Sequence, residues 1–239
     1  MRESSDFKQV AFTVILPLHN DAAILEKNFR LVVSSLSMLG LKHEIILAED
    51  GSDDGTKKIA EKFVSKNVRL LSSSTRLGRG RAISNAIREA KGDIIAYMDV
   101  DLATDLSYLP GLVGEVERGA DIATGSRLLP GSKVVGRSFA REISSRVYNL
   151  LLRMLFRTRI HDHQCGFKAF RRSSVLPLLD KVGDSHWFWD SELLILSQKN
   201  RLGVAELPVV WTDSKDSHVS LKSDILSMGS SMLRLRFRI

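Results

Sequence analysis

The chain has 239 residues, 44% of them hydrophobic, a formal charge of +7 and one cysteine, Cys165. That is enough chain and apolar content for one domain with a full core, and a lone thiol excludes an internal disulfide and fits a reducing compartment. The positive balance asks for an anionic partner, whether nucleic acid, anionic lipid or phosphorylated substrate, and the excess is concentrated in residues 127–172, where eleven bases stand against two acids.

Residues 1–9 are polar and charged, unlike a signal peptide. Residues 12–16 form a β-branched, apolar run ended by Pro17, and a helical period follows through Ile24, Phe29, Leu31, Val32 and Leu36. A second strand at 44–48 leads into Glu49-Asp50-Gly51-Ser52-Asp53-Asp54-Gly55-Thr56, before a helix over 59–64. A strand at 68–71, a helix at 78–90 and a strand at 93–98 complete the alternation. This order predicts an α/β fold with a mainly parallel central sheet and helices on both faces. Residues 17–21, 49–54 and 99–104 then fall on one sheet edge, the edge where open α/β sheets bind ligands.

Asp99 and Asp101 leave the fourth strand on that edge. In an extended chain, residues i and i+2 point the same way, so the two carboxylates can present oxygens to one hard cation or to a sugar held beside it. Acidic pairs are commonplace at strand ends, so position is what singles this one out. The 49–56 stretch is by itself good turn and N-cap chemistry. Arg76-Leu77-Gly78-Arg79-Gly80 reads either as glycines opening a helix or as a basic, phosphate-seeking helix start. It lacks the third glycine of a dinucleotide fingerprint.

In the second half, Trp187, Phe188 and Trp189 either wall a sugar pocket or fill the core, and His161 and His163 are loop histidines without zinc-site spacing. Two segments place apolar residues at helical spacing among arginines. One is 137–156, with Phe139, Ile143, Val147, Leu150, Leu151, Met154 and Leu155; the other is 225–239, with Met228, Met232, Leu233, Leu235, Phe237 and Ile239. The period alone fits core packing and interfacial docking equally, and the arginines rule out a bilayer span.

Five stretches occur in order: Leu16-Pro17-Leu18-His19-Asn20-Asp21, the 49–56 stretch, Arg76-Leu77-Gly78-Arg79-Gly80, Asp99-Val100-Asp101 and Gly125-Ser126-Arg127. Together they resemble the ordered signatures of family 2 inverting glycosyltransferases with the GT-A fold, a Rossmann-like nucleotide-sugar-binding architecture. Asp162-His163-Gln164-Cys165-Gly166-Phe167-Lys168, Trp189-Asp190-Ser191-Glu192-Leu193-Leu194 and the 205–211 stretch are similar to the polyprenyl-phosphate hexosyltransferases. Within that group the Gln-Cys-Gly-Phe-Lys form looks closer to the dolichyl-phosphate β-glucosyltransferases than to the dolichol-phosphate mannose synthases.

The resemblance covers nearly the whole chain. It implies a single catalytic domain over 1–239: a nucleotide-binding half (1–104), an acceptor half (105–219) and an amphipathic C-terminal segment (220–239). Pro17, His19, Asp21 and Asp50 would line the base and ribose, and Arg79 would point toward the diphosphate. Asp99 and Asp101 would hold Mg²⁺ or Mn²⁺, and Arg127 and Arg141 would face the phosphates of donor and acceptor. The family usually carries Glu at Asp21, an aromatic at His19, Asp at Glu49 and a basic residue at His218.

The implied reaction moves a hexose, glucose from UDP-glucose, onto a polyprenyl phosphate, by a peripheral enzyme at the cytoplasmic face of a membrane. Mannose from GDP-mannose, or a saccharide acceptor, is the alternative; a saccharide hydroxyl would need a general base, for which Asp190 and Glu192 are candidates. A lipid acceptor favours membrane docking for 137–156. A basic nucleotide-sensing or nucleic-acid-binding protein without catalysis would also fit the charge, but not the ordered signatures, and no RNA-binding module surrounds the tryptophans.

Overall fold

The computed structural model describes residues 12–38, 40, 42–213 and 221–239, with 221–227 described in their backbone alone. The Ser217-His218-Val219 position and residues 1–9 lie outside the described residues.

The chain alternates β1 (Phe12–Leu18), α1 (Ala22–Met38), β2 (His43–Asp50), α2 (Thr56–Glu61), β3 (Val68–Ser73), α3 (Arg79–Glu89) and β4 (Ile94–Met98). There follow α4 (Leu109–Glu117), β5 (Ile122–Ser126), β6 (Lys133–Val135), α5 (Phe139–Phe156), β7 (Phe167–Arg171) and α6 (Arg172–Val175). The last elements are α7 (Trp189–Lys199), β8 (Val204–Pro208), β9 (Val210–Thr212) and α8 (Leu221–Arg238).

Seven strands make one sheet in the order β3-β2-β1-β4-β7-β5-β8, and β6 and β9 pair separately as a parallel ribbon. The large sheet is parallel except for β7, which runs antiparallel between β4 and β5. β1 and β2 are buried on both faces, as near-continuous apolar runs in a parallel sheet should be. Val14 and Leu16 meet Leu25, Phe29 and Leu112 on one face, while Ile15 and Ile46 meet Ile83, Ile87 and Trp189 on the other. Successive strands build outward from β1 to β3, then the chain returns to β4 on the opposite side of β1. The topological switch point, where such sheets open a crevice, therefore lies between β1 and β4.

Several details depart from the sequence reading. β1 runs through Pro17 to Leu18; its pairing with β4 ends at Ile15 opposite Tyr97, so Pro17 has a strand neighbour on one side only, a position proline tolerates. β2 extends through Glu49 and Asp50, which register against Ser72 and Ser73 of β3 rather than sitting in a loop. α1 buries Leu25, Phe29, Val32 and Leu36, a cleaner helical stripe than the expected one, and Leu31 is half exposed. α2 stops at Glu61, leaving Val64 at the surface.

Candidate active site

A cavity of about 500 Å³ opens at the carboxyl edge of the sheet, over the switch point. Pro17, His19, Asp21, Asp50, Arg79, Asp99, Asp101, Arg127, Arg141 and Asp190 all border it. The ends of β1 and β2 build one wall. His19 N donates to Asp21 Oδ2 at 2.8 Å, and its ring Nδ1 lies 2.9 Å from the Asp50 carbonyl oxygen. The Asp50 carboxylate accepts from Leu77 N at 2.6 Å and Gly78 N at 2.8 Å, clamping the 76–80 loop against the sheet edge. Glu49 ties down the same turn region, accepting from Ser52 N at 2.6 Å and from the Ser72 hydroxyl at 2.5 Å.

The 76–80 loop serves two ends. A Cβ at Gly80 would stand 2.4 Å from Cβ of Trp189, so this glycine is a close-packing requirement between α3 and α7. Arg79 turns into the cavity, where Nε and Nη2 donate to Asp99 Oδ1 at 3.1 and 2.6 Å and Nη1 donates to Asp190 Oδ2 at 2.7 Å. Its guanidinium also lies over Tyr97 and Trp187.

Beneath it, Asp190 Oδ1 accepts from the Tyr97 hydroxyl and from Lys168 Nζ at 2.8 Å. The Lys168 side chain is wholly buried, and burial lowers its pKa to about 7. Burial likewise raises Asp190 to about 6, against the opposing pull of Arg79. Asp99, Arg79, Asp190 and Lys168 thus alternate in sign from the cavity into the core. Both Asp190 oxygens are already engaged, so this carboxylate anchors Arg79 on one side and Tyr97 and Lys168 on the other. Glu192, the other candidate base, does not border the cavity. It accepts from Gly183 N and Asp184 N at 2.9 and 2.8 Å and pairs with Arg238, so it fastens α7 to the 183–184 backbone and to α8.

Asp99 and Asp101 do not converge by strand alternation. β4 ends at Met98, and Leu102 N donates to the Asp99 carbonyl at 3.1 Å, so the pair sits in a turn that carries both residues to the cavity. Asp101 Oδ1 accepts from Ala103 N at 3.0 Å. Asp99 lies against Gly166, whose added Cβ would stand 1.8 Å from Asp99 Oδ2; any side chain there would displace the carboxylate. The donor set is two hard oxygen ligands on a partly exposed turn, and no group of three His, Cys, Asp or Glu fit to hold a metal occurs among the described residues. That fits a cation whose remaining ligands come from substrate phosphate and water, as Mg²⁺ is usually held, rather than an all-protein cage.

Opposite stands a wall of arginines. Arg127 donates to Asp162 from backbone N, Nε and Nη2 at 3.0, 2.7 and 2.9 Å. Although burial pushes the Asp162 carboxyl upward, the Arg127 charge and its hydrogen bonds hold it far below the usual carboxylate range. Arg141 Nη1 donates to both oxygens of Asp213, at 2.9 and 2.7 Å. The Trp211 ring lies 5.6 Å from the Arg127 guanidinium and 5.5 Å from that of Arg137. Arg137, Ser145, Gln164, Gly166 and Trp211 are lining residues that the sequence reading assigned no individual role. A spacing of four through Arg137, Arg141 and Ser145 is the signal that marks three of the wall's residues, since it repeats one face around the start of α5.

α5 reverses the usual amphipathic arrangement. It buries Ser145, Asn149, Leu152 and Phe156, while Phe139, Ile143, Val147, Leu150, Leu151, Met154 and Leu155 are all exposed, Phe139 to 79%. Asn149 Oδ1 accepts from the backbone N of His163, which lies in a loop as expected but is fully buried there. The core reading of the 137–156 stripe is thereby overturned. The C-terminal segment divides instead: Met232 and Leu235 pack with Leu152, Phe156, Phe188 and Ile195, while Leu233 and Phe237 are exposed. The tryptophan cluster divides likewise, Trp187 bordering the cavity and Phe188 and Trp189 filling the core. No helix of the described residues is long and apolar enough to cross a membrane.

The family model for glycosyl transferase family 2 matches residues 13–178. The chain belongs to that family. This family 2 glycosyltransferase is 44% identical, over 94% of its length, to glycosyltransferase AglD of Haloferax volcanii, and spans 37% of that relative. It is 30% identical over 96% of its length to the dolichyl-phosphate beta-glucosyltransferase of Dictyostelium discoideum, of which it spans 75%. Among solved structures it resembles glucosyl-3-phosphoglycerate synthase of Mycobacterium tuberculosis, crystallised with Mn²⁺, UDP and glucosyl-3-phosphoglycerate. That match has a TM-score of 0.67 and 20% identity, covering 94% of this chain and 78% of the other. The family 2 glycosyltransferase therefore has the GT-A fold.

Proposed function

We propose that this glycosyltransferase moves glucose from UDP-glucose onto a polyprenyl phosphate of the dolichyl type, with inversion at the anomeric carbon, as a peripheral enzyme at the cytoplasmic face of a membrane. One observation carries the reading. A single cavity runs from the Asp99 and Asp101 turn past the arginine wall to Val147, Leu151 and Met232, beside a helix face that leaves large apolar side chains uncovered. The Dictyostelium relative's name supports the lipid phosphate and the glucose; the mycobacterial synthase, also crystallised with UDP-glucose, supports the donor.

In this reading Pro17, His19, Asp21 and the Asp50 clamp receive the nucleoside, and Arg79 orients the diphosphate. Asp99 and Asp101 hold Mg²⁺ or Mn²⁺, which when bound neutralises charge on the departing diphosphate. An acceptor phosphate oxygen forms the new bond to the anomeric carbon from the face opposite UDP, while the old C–O bond breaks and its electron pair leaves with the diphosphate. Phosphate is already an anionic nucleophile near neutral pH, so no general base is needed, in keeping with the engaged oxygens of Asp190. Arg127 and Arg141 face the phosphates as fixed, preorganised charge.

The test is transfer from radiolabelled nucleotide sugars to a short polyprenyl phosphate, followed by extraction into organic solvent. Label from UDP-glucose in the organic phase is expected. Label from GDP-mannose alone would overturn the donor, and label found only on a water-soluble saccharide would overturn the acceptor.

A further inference from the structure

Arg127, Arg137 and Arg141 all border the cavity, but their charges are not equally spent. Arg127 is locked to Asp162 through three donors and Arg141 to both oxygens of Asp213. Arg137 has a single hydrogen bond among the described residues, from Nη1 to Glu142 Oε2 at 3.2 Å, and the other oxygen of Glu142 already accepts from Arg146 Nε at 2.6 Å. The Arg137 side chain is only 9% exposed, and no described residue accepts from its Nε. A buried guanidinium with an unused donor is costly unless something arrives to use it. Burial first, then repulsion from Arg127, push its pKa below the ordinary arginine value despite Glu142.

A second buried donor repeats the pattern on the same wall. Ser145 borders the cavity, is 4% exposed, and its hydroxyl has no partner among the described residues. A purely structural arginine, held between the Trp211 ring and Glu142, would account for the packing but not for the unused Nε or for the idle hydroxyl. A tetrahedral anion accounts for both, since a guanidinium edge meets two phosphate oxygens in one plane and leaves a third for a hydroxyl.

We propose that Arg137 is an acceptor-binding residue, and that its guanidinium and the Ser145 hydroxyl seat a phosphate monoester that enters the cavity. The inference deepens the proposed function, on which it rests for the presence of phosphate in the acceptor. Arg137 rather than the two firmly paired arginines then supplies the least compensated charge, and acceptor binding releases its weak hold on Glu142. The phosphate can belong to a lipid or to a soluble ester; the wall recognises the group common to both.

The experiment measures binding of farnesyl phosphate and of glycerol 3-phosphate by calorimetry, in the presence of UDP and Mn²⁺, for the full chain and for Arg137→Gln, Arg137→Lys and Ser145→Ala. Thermal melts confirm that each variant is folded. Arg137→Gln should weaken monoester binding at least tenfold, Arg137→Lys less than that, and Ser145→Ala about threefold to tenfold, with UDP affinity changed less than twofold. Acceptor KM should rise more than kcat falls. Equal monoester binding by parent and Arg137→Gln, equal losses of monoester and UDP affinity, or no monoester binding by the parent would each overturn the assignment. If binding ranks as expected while no lipid product forms, Arg137 stands and the polyprenyl acceptor falls. If Arg137→Gln makes lipid product at the parent's rate and KM, Arg137 falls and the polyprenyl acceptor stands.

Discussion

Arg79 and Asp190, 111 residues apart in sequence, form a 2.7 Å ion pair under the cavity floor, and the same guanidinium holds Asp99 by its other edge. One side chain therefore joins the buried network of α7 to a carboxylate that borders the cavity. Replacing it by Met keeps the bulk and removes the charge, leaving Asp190 with Lys168 and Tyr97 alone. Removing one member of a buried pair typically costs about 3 kcal/mol or more. Arg79→Met is expected to lose about that much stability in urea titrations and at least about a hundredfold in turnover, the scale of a lost preorganised charge. A variant as stable as the parent would show that the pair contributes nothing to the fold.

Asp101→Asn tests the turn beyond β4. The amide oxygen of Asn can still accept from Ala103 N, so the turn should persist and the protein should melt within a few degrees of the parent. Transfer should nearly vanish, and the dependence of rate on Mn²⁺ or Mg²⁺ concentration should flatten. Comparable turnover in variant and parent at saturating Mn²⁺ would argue against a cation at this carboxylate. Gly166→Ala is the companion change: its Cβ would occupy the space of Asp99 Oδ2, so it should displace that carboxylate and impair turnover while leaving both acidic residues in the sequence.

The parallel half of the fold was legible because each strand carries its own signal. Apolar runs bounded by turn residues mark β1 to β4, and their crossover order places the cavity. The antiparallel β7 was not legible, since no local pattern says that Phe167–Arg171 will insert between β4 and β5. Ordered motifs brought every candidate residue except Glu192 to one cavity, yet they could not say which charges would be neutralised. Asp190 and Glu192 read alike in sequence; two residues of helix separate them by about 200°, which turns Asp190 into the cavity floor and Glu192 toward Arg238. Lys168 was visible only as part of a motif, because complete burial of a lysine depends on Tyr97 and Asp190 arriving from distant segments.

His163 gives a pH prediction with a definite sign. Its Nδ1 meets Asn149 Oδ1 at 2.9 Å, and burial, only partly offset by Asp162, lowers its pKa from 6.5 to about 3. Between these values the unfolded chain binds a proton at this site that the folded chain refuses. The unfolded state then holds more protons, so His163 makes stability fall as pH drops below about 6.5, with the loss complete near pH 3. From pH 6.5 to pH 5 the site should remove about 2 kcal/mol, at about 1.4 kcal/mol per pH unit. Urea unfolding of the parent and of His163→Gln at both pH values should show the parent's stability falling more steeply by roughly that amount; parallel pH profiles would show that His163 titrates normally.

The last prediction concerns which surface would meet a membrane under the proposed function. Phe139, Leu150 and Met154 are all more than half exposed on α5, so changing them to Ser removes apolar surface without opening the core. Fully burying one such side chain is worth about 1.5–3 kcal/mol, so even partial insertion of three should be worth more than about 1.4 kcal/mol, a factor of ten. The triple variant is expected to bind anionic vesicles at least about tenfold more weakly, to melt close to the parent, and to retain turnover on a detergent-solubilised short-chain acceptor. The C-terminal segment needs a narrower test than truncation, because Leu235 is buried and Arg238 pairs with buried Glu192, so removing either would disturb the fold as well as the surface. Leu233→Ser with Phe237→Ser alters only exposed side chains. An added loss on top of the α5 triple would place both helices at the interface, whereas no added loss would confine docking to α5. Unchanged vesicle co-sedimentation for all five substitutions together would defeat membrane docking by these helices.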